Sequence, residues 1–226
     1  MSLKALSFPT IPRFWHSSGM DLRSRIAADI IERDPAFASV VALAGPPPGR
    51  RPSPVSERFA SLIRSITFQL LATSAATTIH ARVVETCGGH VTIESVLDAG
   101  PDDLRAAGLS RTKAAAMLDL AAHAHDRRVN LARHGWMSDG EVIEEVTAVH
   151  GIGPWTTQMY LMHTLGRRDV WPVGDLGVRS GWSIVHGLDK TISEKELQQR
   201  GEALGGVRSD AAWYCWQAVH FERSKR

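Results

Sequence analysis

Two short stretches carry residue types that could do chemistry. The first is Val149-His150-Gly151-Ile152-Gly153-Pro154-Trp155-Thr156, where an amphipathic helix pattern runs into two glycines and then a proline. Glycine allows the positive φ of a tight turn, and proline suits the first position of a helix, whose amide is unpaired anyway. Hairpin amides and a following helix N-terminus form a nest for an anion, which can hold one DNA phosphate without reading a base. A plain helical hairpin with glycines at its corner accounts for the same residues. The second stretch is Trp171-Pro172-Val173-Gly174-Asp175-Leu176-Gly177-Val178-Arg179. Asp175 follows a Pro/Gly turn and precedes an apolar helical pattern, so it is placed as an N-cap whose ionised form the helix dipole favours. Capping alone would also explain it.

Other signals point away from common site chemistries. The only cysteines are Cys87 and Cys215, too few for a disulfide framework, a four-cysteine zinc site or a four-cysteine iron–sulfur cluster. His123 and His125 are two apart on a helix and do not share a face. No His-Cys-Asp cluster has ligand spacing, so no catalytic transition metal is expected. Arg64, Arg111, Lys113, Arg167, Arg168 and Arg179 are candidates for a phosphate-binding face, although each singly would pass for solvated surface. With a net charge of +2 over 226 residues, a histone-like cationic protein is excluded but a local basic face is not.

The elements that must position these stretches read as helices. A helix is expected from Asp21 to Arg33, with Ile26, Ile30 and Ile31 at helical spacing. Gly45-Pro46-Pro47-Pro48-Gly49-Arg50-Arg51-Pro52 is the clear linker. One long helical segment is expected from about Ser56 to Thr86, stopped by Gly88 and Gly89. A short helix opens at Pro101 and ends at Gly108, and Ser110 caps the next, which runs to about His125. Ser138 with Glu141 and Ser193 with Glu196 are capping boxes. No period-2 run of any length appears, which predicts an all-α fold. Phe8, Pro9, Ile11, Pro12, Phe14 and Trp15 suggest an N-terminal arm (residues 1–20). No stretch approaches ~20 consecutive apolar residues, so no membrane partner is expected.

Taken together, hairpin, helix and then Asp175 closely resemble the helix-hairpin-helix DNA glycosylases, and within them the DNA-3-methyladenine glycosylase II (alkylbase) branch. Three more stretches reinforce this: Ile66-Thr67-Phe68-Gln69-Leu70-Leu71-Ala72-Thr73-Ser74-Ala75-Ala76, Gly108-Leu109-Ser110 followed by Lys113-Ala114, and Arg208-Ser209-Asp210-Ala211 ahead of Trp216. The resemblance covers roughly residues 21–222. Departures occur at Leu70 and Ala72, where many relatives carry a second glutamine and a serine. Gly205 and Gly206 also replace the usual Trp/Pro residues.

The resemblance implies two helical subdomains with the active-site cleft between them and no N-terminal β-domain. One subdomain would comprise residues 21–54 and 176–226, the other 55–175. It implies a monofunctional glycosylase that flips alkylated purines out of double-stranded DNA and hydrolyses the N-glycosidic bond. Asp175 would be the catalytic carboxylate. Trp155, Trp216 and Tyr160 would line the base pocket, with Trp213 a weaker candidate. Gly151, Gly153, Thr156, Gln69, Leu70 and Arg179 would contact DNA, Leu70 or Leu71 as the wedge that fills the hole. Bifunctional relatives place a Schiff-base lysine before a threonine, where this chain has Trp155 before Thr156, so no lyase step is expected. No cofactor is implied beyond a structural sodium or potassium ion at the hairpin carbonyls near Gly151 and Gly153. A monomer is expected, cytoplasmic and nucleoid-associated in a bacterium or nuclear in a eukaryote. The rival readings are a non-catalytic DNA-binding or damage-sensing module, an all-α enzyme acting on small molecules, and a glycosylase for another lesion such as hypoxanthine.

Overall fold

The structure is a computed structural model that describes residues 21–225, so the arm expected over residues 1–20 lies outside the described residues. The described residues are helical, with no strand among them. They divide into two units, one spanning Arg51–Arg167 and the other joining the N-terminal part up to Arg50 with Arg168 onward. The boundaries expected at 54/55 and 175/176 thus compare with 50/51 and 167/168. Asp175 belongs to the unit made from both chain ends, because its packing partners lie on that unit's own helices.

The first unit holds α3 (Val55–Phe68), α4 (Thr73–Thr86), α5 (Ile93–Ala106), α6 (Arg111–His125), α7 (Asp139–Thr147) and α8 (Pro154–His163). The stripe Phe59, Leu62, Ile63 and Ile66 is buried, as helical spacing requires of a core face. The single long helix expected from Ser56 to Thr86 is instead two. It breaks at Gln69–Ala72, where Leu70 adopts φ +53°. No glycine or proline marks this break, so tertiary contacts rather than local propensity make it. α5 starts at the cap Thr92 and carries a kink at Gly100, ahead of the Pro101 that was expected to open a helix. Ser110 caps α6, and Ser138 with Glu141 closes the capping box of α7.

The second unit holds α1 (Leu22–Arg33), α2 (Ala38–Ala44), α9 (Leu176–Val185), α10 (Glu194–Arg200) and α11 (Arg208–Arg223). Asp21 caps α1 and Ser193 with Glu196 opens α10. Its core stacks Trp182 on His186 at 4.1 Å and sets Phe37 edge-on to Trp182 at 5.7 Å. The Arg50 guanidinium is buried against Asp210 (2.7 Å) and the Ser209 carbonyl (2.8 Å), closing this unit where the chain leaves it. A buried pair of this kind is costly to break by removing one partner.

Candidate active site

In the chain-end unit, the candidate carboxylate lies where α9 meets α11. Asp175 caps α9, its Oδ1 accepting from the Val178 amide at 2.8 Å. The same oxygen accepts from the Trp216 indole N–H of α11 at 3.0 Å. That contact depends on two glycines four residues apart on one face of α9. A Cβ on Gly177 would meet Trp216 Cδ1 at 2.9 Å and Asp175 Oδ1 at 3.0 Å, and a Cβ on Gly181 would overlap the Cys215 carbonyl. Close helix approach therefore delivers the indole to the carboxylate. Cys215 is fully buried, and burial raises its thiol well above the usual range, so it packs as a small apolar residue. The expected pocket residue Trp216 is thus half-buried and tied to Asp175.

In the other unit, the hairpin connects α7 to α8. Gly151 has φ +83°, and a Cβ there would meet Ala116 Cβ at 2.8 Å, so a left-handed turn and a close approach both require glycine. The His150 amide donates to Asp119 Oδ2 at 2.7 Å, whereas the Gly151 and Gly153 amides have no partner among the described residues. These two amides and the N-terminus of α8 are what an anion would meet. Gln69 braces the turn from beneath, its amide donating to the Gly151 carbonyl (3.2 Å) and to Thr156 Oγ1 (3.0 Å). Trp155, on the first turn of α8, is 40% exposed, which leaves ring surface for stacking. Leu70 and Leu71 are both exposed.

Several expected roles need correction. Tyr160 is fully buried, its hydroxyl 3.0 Å from His134 Nδ1, so it is a core residue and cannot stack on a base. Burial raises the Tyr160 phenol above its ordinary range. Thr156 is buried and its hydroxyl is engaged by Gln69, so neither residue reaches out to phosphate. Arg179 turns its Nε onto the Ile192 carbonyl (2.8 Å) and NH1 toward Glu194 (3.7 Å), which ties α9 to the cap of α10. Arg167 is similarly committed to the His134 and Met137 carbonyls. Lys113 donates to the Thr67 (2.8 Å) and Gln69 (2.7 Å) carbonyls rather than standing on the surface. Arg64 lies over the Phe68 ring at 4.2 Å.

The hairpin carbonyls fit a monovalent cation poorly. The Gly153 oxygen accepts from both the amide and the hydroxyl of Thr157, and the Gly151 oxygen accepts from Gln69. A carbonyl has two lone pairs, so these two atoms together retain one.

Sequence reasoning missed two residues that matter here, Gly177 and Gly181, and set Lys113 on a phosphate-binding face, where the structure turns it onto carbonyls instead. The Gly-x-x-x-Gly spacing was a readable signal for the two glycines, since it puts two small residues on one helix face. Nothing local distinguishes Lys113 from a solvated lysine at a helix start.

The chain belongs to the HhH-GPD superfamily of base excision DNA repair proteins, whose profile matches residues 63–205. It is 31% identical over 164 residues to DNA-3-methyladenine glycosylase 1 of Schizosaccharomyces pombe, covering 71% of this chain and 72% of that one. The structure of the Schizosaccharomyces pombe 3-methyladenine DNA glycosylase in complex with abasic DNA superposes with a TM-score of 0.79 at 28% identity, over 85% of this chain and 95% of that one. A DNA-3-methyladenine glycosidase from Bacillus halodurans gives a TM-score of 0.76 at 30% identity, over 88% and 91% of the two chains.

Proposed function

We propose that this protein is a DNA glycosylase that removes N-alkylated purines from double-stranded DNA and leaves an abasic site. The observation that carries the reading is the Asp175 carboxylate, oriented by its own helix amide and by the Trp216 N–H. Its similarity to 3-methyladenine glycosylases over most of its length supports the choice of substrate.

The chemistry follows from charge. Alkylation at a ring nitrogen makes the purine cationic, so it leaves with the electron pair of the C1′–N bond and becomes neutral. The sugar is left with oxocarbenium character, as in glycoside hydrolysis. A carboxylate already held in place stabilises that cation without reorganising, and accepts the proton of the water that adds at C1′. The Gly151 and Gly153 amides hold one backbone phosphate, Trp155 offers a stacking face, and Leu70 fills the hole in the duplex. One carboxylate and one lesion need no second subunit. The protein's place is with the chromosome, in the nucleoid of a bacterium or the nucleus of a eukaryote.

The lysine that a lyase would use is absent, because Trp155 stands directly before Thr156. The Lys113 amine is tied to two carbonyls, so it does not serve instead. Methylated duplex DNA incubated with the protein should yield free methylated purine and an unbroken abasic strand, with no adduct trapped by borohydride. Tight, salt-sensitive binding without any base release would overturn the enzymatic reading, and a trapped adduct would overturn the monofunctional one.

A further inference from the structure

Leu70 stands out in the hairpin-bearing unit. Its φ is +53° and its side chain is fully exposed. The left-handed region is disfavoured for a non-glycine residue, and exposure forfeits the stabilisation that burying a leucine would contribute. A strained, exposed leucine persists only where its surroundings hold it, and such strain concentrates at functional sites.

Lys113 is what holds it. Reaching across from α6, its Nζ donates to the Thr67 and Gln69 carbonyls at the C-terminal end of α3. Partial burial works against the ammonium charge there and lowers its pKa, yet the C-terminus of α3 is where a helix dipole favours a cation. On the other side, the Gln69 side chain is committed to the Gly151 carbonyl and Thr156. The backbone before Leu70 is thus pinned by the lysine and by the hairpin, and Leu70 projects from it fully exposed.

We propose that Lys113 is a positioning residue: it holds the Gln69–Ala72 turn so that Leu70 is presented, already formed, to the gap that a displaced nucleotide leaves in duplex DNA. It acts through the turn and not on a phosphate. The proposal rests on the DNA-repair reading above.

The test measures affinity for a duplex with a tetrahydrofuran abasic-site analogue and for the same duplex intact, across a salt series. Lys113→Met, which keeps the stem and removes the amine, should weaken abasic-duplex binding roughly tenfold, the size expected when a charge-assisted hydrogen bond is lost. Intact-duplex affinity and the salt slope should not change. A phosphate contact would instead weaken both duplexes equally and reduce the slope by about one, and that result would overturn the proposal. Combined with Leu70→Ala, the lysine change should add little further loss, because both act through one turn; fully additive losses would also overturn it. Should Lys113→Met fail to melt cooperatively, Lys113→Gln is judged by the same criteria. Leu70→Gly is an independent check, since glycine relieves the strain. Its Tm should equal or exceed that of the parent while abasic-duplex affinity falls, and parental affinity would overturn the proposal. Base release by the unaltered protein separates the two readings. If release is absent while the Lys113 pattern holds, only the enzymatic reading fails. Release without the pattern removes only the lysine's role.

Discussion

The two units solve opposite problems. On the chain-end unit, a single carboxylate must be held still, and the means is intimate helix packing: Gly177 and Gly181 let α11 approach until the Trp216 N–H reaches Asp175. On the hairpin unit, backbone groups must be offered outward, and the means is bracing from beneath: Gln69 grips the hairpin, Lys113 grips the preceding turn, and Asp119 takes the His150 amide. Chemistry at one atom requires a rigid, half-buried oxygen, because electrostatic stabilisation depends on preorganisation. Gripping a phosphate and filling a gap require donors and apolar surface kept unsatisfied until DNA arrives. The chain-end unit therefore relies on close packing, the hairpin unit on strain and exposure.

The sharpest break in this comparison is Asp175→Asn. Asparagine caps a helix about as well as aspartate, and its side-chain oxygen still accepts from Val178 and Trp216. Stability should hold within about 1 kcal/mol, while base release falls on the order of 10²–10³-fold as the charge opposing the sugar cation disappears. Thermal melting and a single-turnover assay on methylated DNA would check both halves, and near-parental turnover would remove Asp175 from the mechanism.

Next in size is Gly181→Ala. The new methyl group overlaps backbone at Cys215, so no side-chain rotation relieves it. Overpacking of this kind should cost about 3 kcal/mol, a Tm drop of roughly 6–12 °C for a chain this long. Gly153→Ala is the matching control in the hairpin: φ is −97° and a Cβ there meets nothing within 4 Å. Its Tm should shift by no more than a degree or two (a surface change within about 0.5 kcal/mol). Equal losses at both positions would mean that the two units are built alike.

Trp216→Phe and Gln69→Ala probe the two bracing hydrogen bonds directly. Each removes about 1–2 kcal/mol of orientation, hence roughly a tenfold effect, but on different quantities. Losing the indole N–H should lower kcat with KM little changed, because the carboxylate is already beneath its substrate when it fails. Losing Gln69 loosens the hairpin and should raise KM at constant kcat. The split comes from steady-state kinetics, and a swapped pattern would reverse the assigned roles.

Much of this was legible along the chain where the determinant is local. The caps at Ser110, Ser138, Asp175 and Ser193 announce themselves within four residues, and Gly151 and Pro154 mark the hairpin. The break at Leu70 carries no such mark, since Gln69-Leu70-Leu71-Ala72 has ordinary helix formers and the turn is imposed by Lys113, 44 and 46 positions downstream of the two carbonyls it holds. Tyr160 failed for the complementary reason. Position on a helix does not say which face is core, and only the partners His134 and Glu145 reveal that this phenol looks inward. Arg179 and Lys113 looked like surface charges because a long side chain's direction is set by acceptors that sequence spacing does not place.

The smallest expected difference between the units is their response to acid. In the hairpin unit, burial chiefly holds the His134 imidazole below its ordinary pKa, with Arg58 adding to this and the Glu145 hydrogen bond opposing it. Burial, with Arg64 adding, does the same at His80. A histidine with a lowered folded pKa binds its proton more readily when unfolded. Stability from these two sites is therefore intact above about pH 6.5 and declines as pH falls below that value. In the chain-end unit, burial disfavours the Asp34 charge, but the His186 ring 2.9 Å away, the Ala36 amide and Arg200 together outweigh it and the carboxylate is held below its usual range. That contribution persists until pH falls below about 4. Amide hydrogen exchange at pH 7.5, 6.0 and 5.0 should show α7 and α8 losing protection first, with α9 and α11 unchanged. His134→Gln should flatten the first decline, because glutamine keeps a donor for Glu145 and takes up no proton.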